Sequence, residues 1–242
     1  MQKLFKKLVS ITLAVVLGIT LFSQVSVNAA SVDDSTKEFL VQNPDGEYLY
    51  RLEISEDMLT YQLEMKNTNT NETTIVKYEN GIATTLKDGE VVNVVDYNNS
   101  IKVAQEYNNS SRAYRAKTVC IIPTLGGNNL WYQMGTSGAD SGYMRMGCDW
   151  TYRVKADACS ECSTFRNKIL ESNNLFAASG LSDAAGVAIC ALILAAGPTG
   201  GLSVALGAGL VGTAAITLVD ACFAEQAAHD AYDVAKTYGT RQ

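Results

Sequence analysis

The sequence predicts an α+β protein: an N-terminal antiparallel β-meander, then a disulfide-bearing C-terminal domain with an apolar α-helical hairpin. Three observations predict it. Residues 30–116 hold short alternating runs broken by Asn-Gly and Asp-Gly pairs, all six cysteines lie beyond residue 116, and Ala184 to Val219 is a run of 36 residues without one charge.

The β half is the plainest. Asn43-Pro44-Asp45-Gly46 is a turn tetrad. Glu47 to Ile54 alternates through Tyr48, Tyr50, Leu52 and Ile54, and Leu59 to Met65 through Leu59, Tyr61, Leu63 and Met65. Strict alternation sets one face on a core and the other in water. Asn67 to Asn71 is a polar turn, and Thr73 to Tyr78 is a β-branched run. Asn80-Gly81 and Asp88-Gly89 carry residues that accept positive φ, the requirement of a tight hairpin turn. They separate Ile82–Leu86 from the runs on either side, and Val91–Tyr97 closes a meander of about five or six strands.

Residues 31–116 have 15 acidic and 8 basic side chains, net −7; residues 117–242 have 10 and 8, net −2. That shift, with the cysteine distribution, places a domain boundary near residue 116. The linker holds Asn98-Asn99-Ser100 and Asn108-Asn109-Ser110-Ser111, then Arg112, Arg115 and Lys117. The three cations are candidate processing positions at which a protease would free the C-terminal half.

Beyond the linker, Thr118–Ile122, Trp131–Met134 and Tyr143–Val154 read as strands, and the period turns helical from Ala156 to Ala178. Gly180 ends that helix and Ser182-Asp183 caps the next. In the charge-free run, Gly197-Pro198-Thr199-Gly200-Gly201 reads as the turn between two apolar arms, Ala184–Ala196 and Leu202–Val219. The arms have 13 and 18 residues. They reach about 20 and 27 Å at 1.5 Å per residue, against a bilayer core about 30 Å thick. Ile189, Leu192, Leu194, Leu202, Leu206, Leu210 and Ile216 are the candidate membrane-inserting residues, with Gly197 and Pro198 at the tip. Gly207, Gly209 and Gly212 weaken a helix in water and permit close approach in lipid. An alanine-rich helix beyond Asp220 is expected to remain in water.

The chain opens as a secretory signal peptide does: Lys3, Lys6 and Lys7, an uncharged run from Leu8 to Leu21, and a small-residue cleavage pattern ending at Ala29. The run of 14 residues is short for a membrane span of about 20. No cysteine near the cut marks a lipid anchor and Tyr238–Gln242 resembles no wall-sorting signal, so a secreted, extracellular protein is expected. Removing residues 1–29 takes three lysines away and moves the net charge from −6 to −9. So acidic a chain lacks the Lys and Arg that hold phosphate, which argues against a nucleic-acid partner. It has no general attraction to anionic lipid, so membrane action must come from apolar burial or a receptor.

Cys120, Cys148, Cys159, Cys162, Cys190 and Cys222 are candidates for up to three disulfides in an oxidising compartment. With the helical turn centred near Thr199, Cys190 faces Ala208. Cys222 then lies about 21 Å farther along the axis, so pairing of each with Cys148, Cys159 or Cys162 is expected instead. Cys159-Ser160-Glu161-Cys162 is half a metal site at most: there is no second CxxC, and His229 is the only histidine. No metal or other cofactor is expected. No nucleophile elbow or HExxH is present, and Gly207–Gly212 matches GxGxxG in letters but follows no strand. The chain does not read as an enzyme.

The leader, the acidic N-terminal half and the segments Cys159–Cys162, Gly186–Leu192 and Val219–Cys222 together resemble the precursors of large secreted bacteriocins of the halocin C8 type, and also the geobacillin type. The likeness covers roughly residues 148–235. It implies a C-terminal peptide released by proteolysis and an N-terminal part acting as an immunity protein. By its physics the apolar hairpin is similar to colicin pores. The expected function is thus that of a secreted antibacterial protein acting on a target bacterial membrane, directly or through a surface receptor. The alternatives are a disulfide-stabilised binding protein of the cell surface and a secreted hydrolase using His229.

Overall fold

The computed structural model describes residues 36–43, 46–55, 60–98, 114–210 and 213–242. The leader with Ala29, and Arg112 in the linker, lie outside the described residues.

The N-terminal half is a six-stranded antiparallel meander of strands in chain order: β1 (Thr36–Asn43), β2 (Gly46–Ile54), β3 (Tyr61–Asn67), β4 (Thr73–Glu79), β5 (Ile82–Lys87) and β6 (Glu90–Asp96). Alternation does what it predicts. Phe39, Tyr50, Leu52, Tyr61, Leu63, Val76 and Tyr78 are buried on one face, with Leu52 opposite Leu63 and Leu63 opposite Val76 across the ladder. Asn80 and Gly81 take φ of 52° and 80°, and Asp88 and Gly89 take 51° and 86°, the geometry the two dipeptides foretell. Strand β1 is an addition to the sequence reading. Its alternating Phe39 and Val41 are flanked by charged and polar residues that dilute the signal.

The C-terminal half has a second antiparallel sheet, in the order β11-β10-β9-β8-β7: β7 (Thr118–Val119), β8 (Trp131–Met134), β9 (Tyr143–Gly147), β10 (Thr151–Lys155) and β11 (Thr240–Arg241). The run expected as one strand from Tyr143 to Val154 is thus a hairpin, and the strand at Thr118 is cut short. Three helices follow: α1 (Ser160–Ser179), α2 (Asp183–Gly207) and α3 (Thr213–Ala235). Helix α1 starts four residues after the expected Ala156, with Cys159 as its N-cap, and Gly180 ends it at φ 75°. Ser182 occupies the N-cap of α2 without a side-chain capping bond.

The helical hairpin departs from expectation in two respects, although its first turn is where it was expected. Gly197 leaves helical space at φ 71°, ψ −178°, helix resumes at Pro198, and the arms approach so closely that a Cβ on Gly201 would lie 3.0 Å from Ile193 Cγ2. Proline is well suited to the first position of a helix, where no intrahelical partner for its N–H is required. The expected second arm, Leu202–Val219, is not one helix: α2 ends at Gly207, Gly209 has φ 86°, and α3 begins at Thr213. The helix beyond Asp220 is likewise no solvated extension: Ala221, Cys222, Ala224, Ala228, Ala231 and Tyr232 are buried, and α3 packs closely along α1. Alanines let two backbones approach, and an alanine-rich face can be a packing face as well as a helix former.

One asparagine fastens α1 to the second sheet. Asn173 Oδ1 accepts from the Ile121 N–H at 2.8 Å and its Nδ2 donates to the Val119 carbonyl at 2.8 Å. Beside it the Ser172 hydroxyl donates to the Ala221 carbonyl at 2.9 Å. Asn173→Ala should lower unfolding free energy by about 2 kcal/mol, from two lost bonds and the backbone groups left unpaired. Urea denaturation checks it, and an unchanged midpoint would make the clamp dispensable.

Candidate functional site

The candidate site is the charge-free helical segment and whatever covers it. The cover is the N-terminal sheet: α2 lies against β1, β3 and β4, and the buried faces of sheet and helices form one hydrophobic cluster. Two glycines set the approach. A Cβ on Gly200 would lie 2.5 Å from the Tyr50 ring, and one on Gly207 would lie 2.9 Å from Leu52 Cδ2. The Tyr50 hydroxyl donates to the Ala196 carbonyl at 3.2 Å, beside the Gly197 kink. Gly207 and Gly209 thus have structural reasons of their own, contact with the sheet and the break between α2 and α3, which the lipid reading of these glycines did not supply. Gly212 lies outside the described residues.

The expected membrane-inserting residues fall into three groups. Ile189, Leu192 and Leu210 are buried, and Leu194 and Leu202 are half-buried. Leu206 and Ile216 are 43% and 51% exposed. Gly197 is the kink, while the Pro198 side chain is outside the described residues. A cavity of about 260 Å³ remains between sheet and helix, lined in part by Val76, Val95, Ala191 and Ala195. The sheet also reaches the second half through Tyr97, whose hydroxyl donates to the Leu125 carbonyl at 3.4 Å. Among the described residues no helix is long and apolar enough to cross a membrane.

Of the processing candidates, Arg115 is exposed, although its N–H donates to the Met134 carbonyl at 2.8 Å. Lys117 stacks 3.8 Å above the Trp131 ring, and burial lowers its ammonium to about 8.

All six cysteines are free thiols in this structure. Cys159 and Cys162 Sγ are 3.3 Å apart at the start of α1. Cys190 and Cys222 are both buried in the core. Burial pushes the Cys120 and Cys148 thiols up to about 12 and the Cys162 thiol up to about 11.

A second feature escaped the sequence. A pocket of about 230 Å³ is lined by Asn128, Cys148, Asp149, Glu225, His229 and Asp230 among others. Glu225 is 2% exposed and its Oε1 has no hydrogen-bond partner. Burial first, then the Asp230 carboxylate, raises it from 4.5 to about 8. Its charge is felt by Tyr97, Cys120, Cys148 and Cys222. Nothing in an alanine-rich run distinguishes this glutamate from a solvated one. His229 is half-exposed, with Nδ1 3.7 Å from Asp233 Oδ2. Among the described residues no cluster of His, Cys, Asp and Glu could hold a metal ion.

The chain matches no family model, and no curated protein or solved structure matches it.

Two predictions follow from this geometry. Gly200→Ala should destabilise the protein by about 1–3 kcal/mol, because the Tyr50 ring is held and a methyl group must displace it. Chemical denaturation measures the loss, and wild-type stability would mean that the sheet shifts freely. The second concerns pH. Below about 4.5 Glu225 is protonated folded or unfolded; between 4.5 and about 8 only the unfolded chain ionises. Its contribution to stability therefore falls with rising pH over that window, by about 1.4 kcal/mol per unit. Glu225→Gln should abolish that slope, so its Tm advantage over wild type widens from pH 5 to pH 8. A constant difference would place the carboxyl in contact with water.

Proposed function

We propose that the chain is a secreted antibacterial protein of the bacteriocin type, held in a closed form and acting on the membrane of a target cell. The observation that carries this reading is the cover. A 36-residue segment without charge is shielded by a sheet from the opposite end of the chain, joined to it through a linker with cleavable cations. The N-terminal sheet acts as the protective partner, in the manner of an immunity protein, and its removal or displacement uncovers α2. The arms of α2 on either side of Gly197 have 14 and 10 residues, about 21 and 15 Å long. Entry is therefore a shallow hairpin within one leaflet rather than a straight crossing. Lipid tails then replace the sheet as the apolar surroundings, worth about 25 cal/mol per Å² of apolar area kept from water.

The binding-protein alternative has one observation in its favour: edge strand β6 exposes Val91, Val92 and Val94, each at 59%. It predicts neither leakage nor killing.

Leu206 separates insertion from folding. It is already 43% exposed, so Leu206→Lys costs the closed fold little, whereas a lysine carried into lipid costs up to about 2.5–3.5 kcal/mol, the value at a helix centre. The protein, nicked with trypsin in the linker, should release dye from phosphatidylglycerol vesicles and inhibit related bacteria. The Leu206→Lys form should do both at least tenfold less well with an unchanged Tm. Equal activity of the two forms would exclude insertion through this helix.

A further inference from the structure

The pocket at Glu225 is acidic and contains a buried polar atom that the fold leaves without a bond. Glu225 lines it, is 2% exposed, and its Oε1 has no hydrogen-bond partner among the described residues. A buried acceptor without a donor is costly, and rare enough in folded proteins that each instance requires a reason. Asp149 and Asp230 line the same pocket and are exposed, and no Lys or Arg is among its described lining residues. His229 is the one described lining residue able to carry a positive charge, and its Nδ1 lies 3.7 Å from the Asp233 carboxylate. We propose that this pocket binds an alkylguanidinium, the head group of an arginine side chain or of a small guanidine, with Glu225 as the inner acceptor and Asp149 and Asp230 as the outer ones. The inference uses none of the premises of the membrane reading.

Size, wall chemistry and spacing each favour that cation. A volume of about 230 Å³ is below the roughly 300–1,000 Å³ of a drug-sized ligand site, and suits one head group with its stem. Leu125 and Leu194 supply apolar wall, against which methylene groups pack while the charge stays with the carboxylates. Among the described residues no group of His, Cys, Asp and Glu gathers closely enough to hold a metal ion. Dispersed carboxyls are better matched by a planar cation with five N–H donors pointing in several directions than by a point charge. Asn128 Nδ2 donates to Asp149 Oδ1 at 2.6 Å, which steadies one of the outer acceptors.

Binding is linked to a proton. Burial, then the Asp230 carboxylate, raises Glu225 to about 8, whereas a neighbouring cation favours the ionised carboxylate. Below pH 8 the guanidinium therefore displaces a proton from Glu225 to solvent, and affinity rises from pH 6 to pH 8. Beside Glu225 on α3 are Cys222, His229 and Asp230; Cys148 and Asp149 reach it from the turn between β9 and β10, Cys120 from the end of β7, and Tyr97 from the end of β6. Burial raises the three thiols and the Tyr97 hydroxyl above this window, so they do not change charge within it.

The test is calorimetric titration of the full chain with butylguanidinium. At pH 8 a Kd of about 1 mM or below is expected, weakened at least tenfold in Glu225→Gln and at least threefold in Asp230→Asn. Asp157→Asn, the same change of charge at a side chain that is 75% exposed and outside the pocket, should bind as wild type does. At pH 6 wild type should bind at least tenfold more weakly than at pH 8; that slope should persist in His229→Gln and vanish in Glu225→Gln. N-acetylarginine methylamide separates the two sources. Binding of both probes assigns an arginine carried by a peptide, binding of butylguanidinium alone a free guanidine, and either supports the site. The proposal is overturned by no binding of butylguanidinium at about 10 mM, equal binding of uncharged butylurea, or tighter binding of Ca²⁺. Equal affinity of wild type and Glu225→Gln, an affinity indifferent to pH, or a slope lost in His229→Gln overturns it as well. Glu225→Gln is expected to be the more stable protein, so its loss of binding is not a loss of fold.

Discussion

The structure depends on keeping one long electrically neutral segment out of water. Val187, Ile189, Leu192, Ile193, Val204, Leu210, Leu218 and Val219 are its large buried side chains. Each is worth about 1.5–3 kcal/mol when fully buried, so uncovering all eight costs on the order of 12–24 kcal/mol. A domain of this kind has a net stability of about 5–15 kcal/mol. In water the segment cannot come out without the fold being lost.

How the cover is built follows from the same constraint. A sheet with aromatic and branched residues on one face supplies Phe39, Tyr50 and Leu52 over α2, and the helix answers with glycine where those side chains arrive. Glycine in a helix is unfavourable by about 1 kcal/mol relative to alanine. At Gly200 and Gly207 that cost is offset by contacts no Cβ would permit. The fit is not complete, since a cavity remains along Val76, Val95, Ala191 and Ala195. The atoms lining such a gap forgo dispersion contacts on that side.

The β half was largely legible because its signals are local. Alternation fixes which face of β2 and β3 turns inward, and Asn80-Gly81 and Asp88-Gly89 fix where the chain reverses. The helical half was legible in existence but not in path. Gly197 and Pro198 were rightly read as a break, yet a glycine at positive φ followed by a proline at a first helical position redirects a helix as readily as it ends one. The second break uses Gly209, which has no proline beside it to mark it. The burial of α3 was hidden by composition: alanine reports helix propensity and says little about which face is covered.

Glu225 was the least foreseeable residue, and it bears on where the neutral segment ends. By sequence the charge-free run stops at Asp220. In the fold, burial raises both of the next carboxyls, Asp220 and Glu225, and Glu225 reaches about 8. Near neutral pH Glu225 is therefore largely uncharged in the closed form, and desolvation shifts Asp220 in the same direction. From Ala184 through Ala228 these are the only two ionisable carboxyls. The neutral stretch is thus longer in the folded protein than in the unfolded chain, and lengthens as pH falls. Its boundary is set by proton binding.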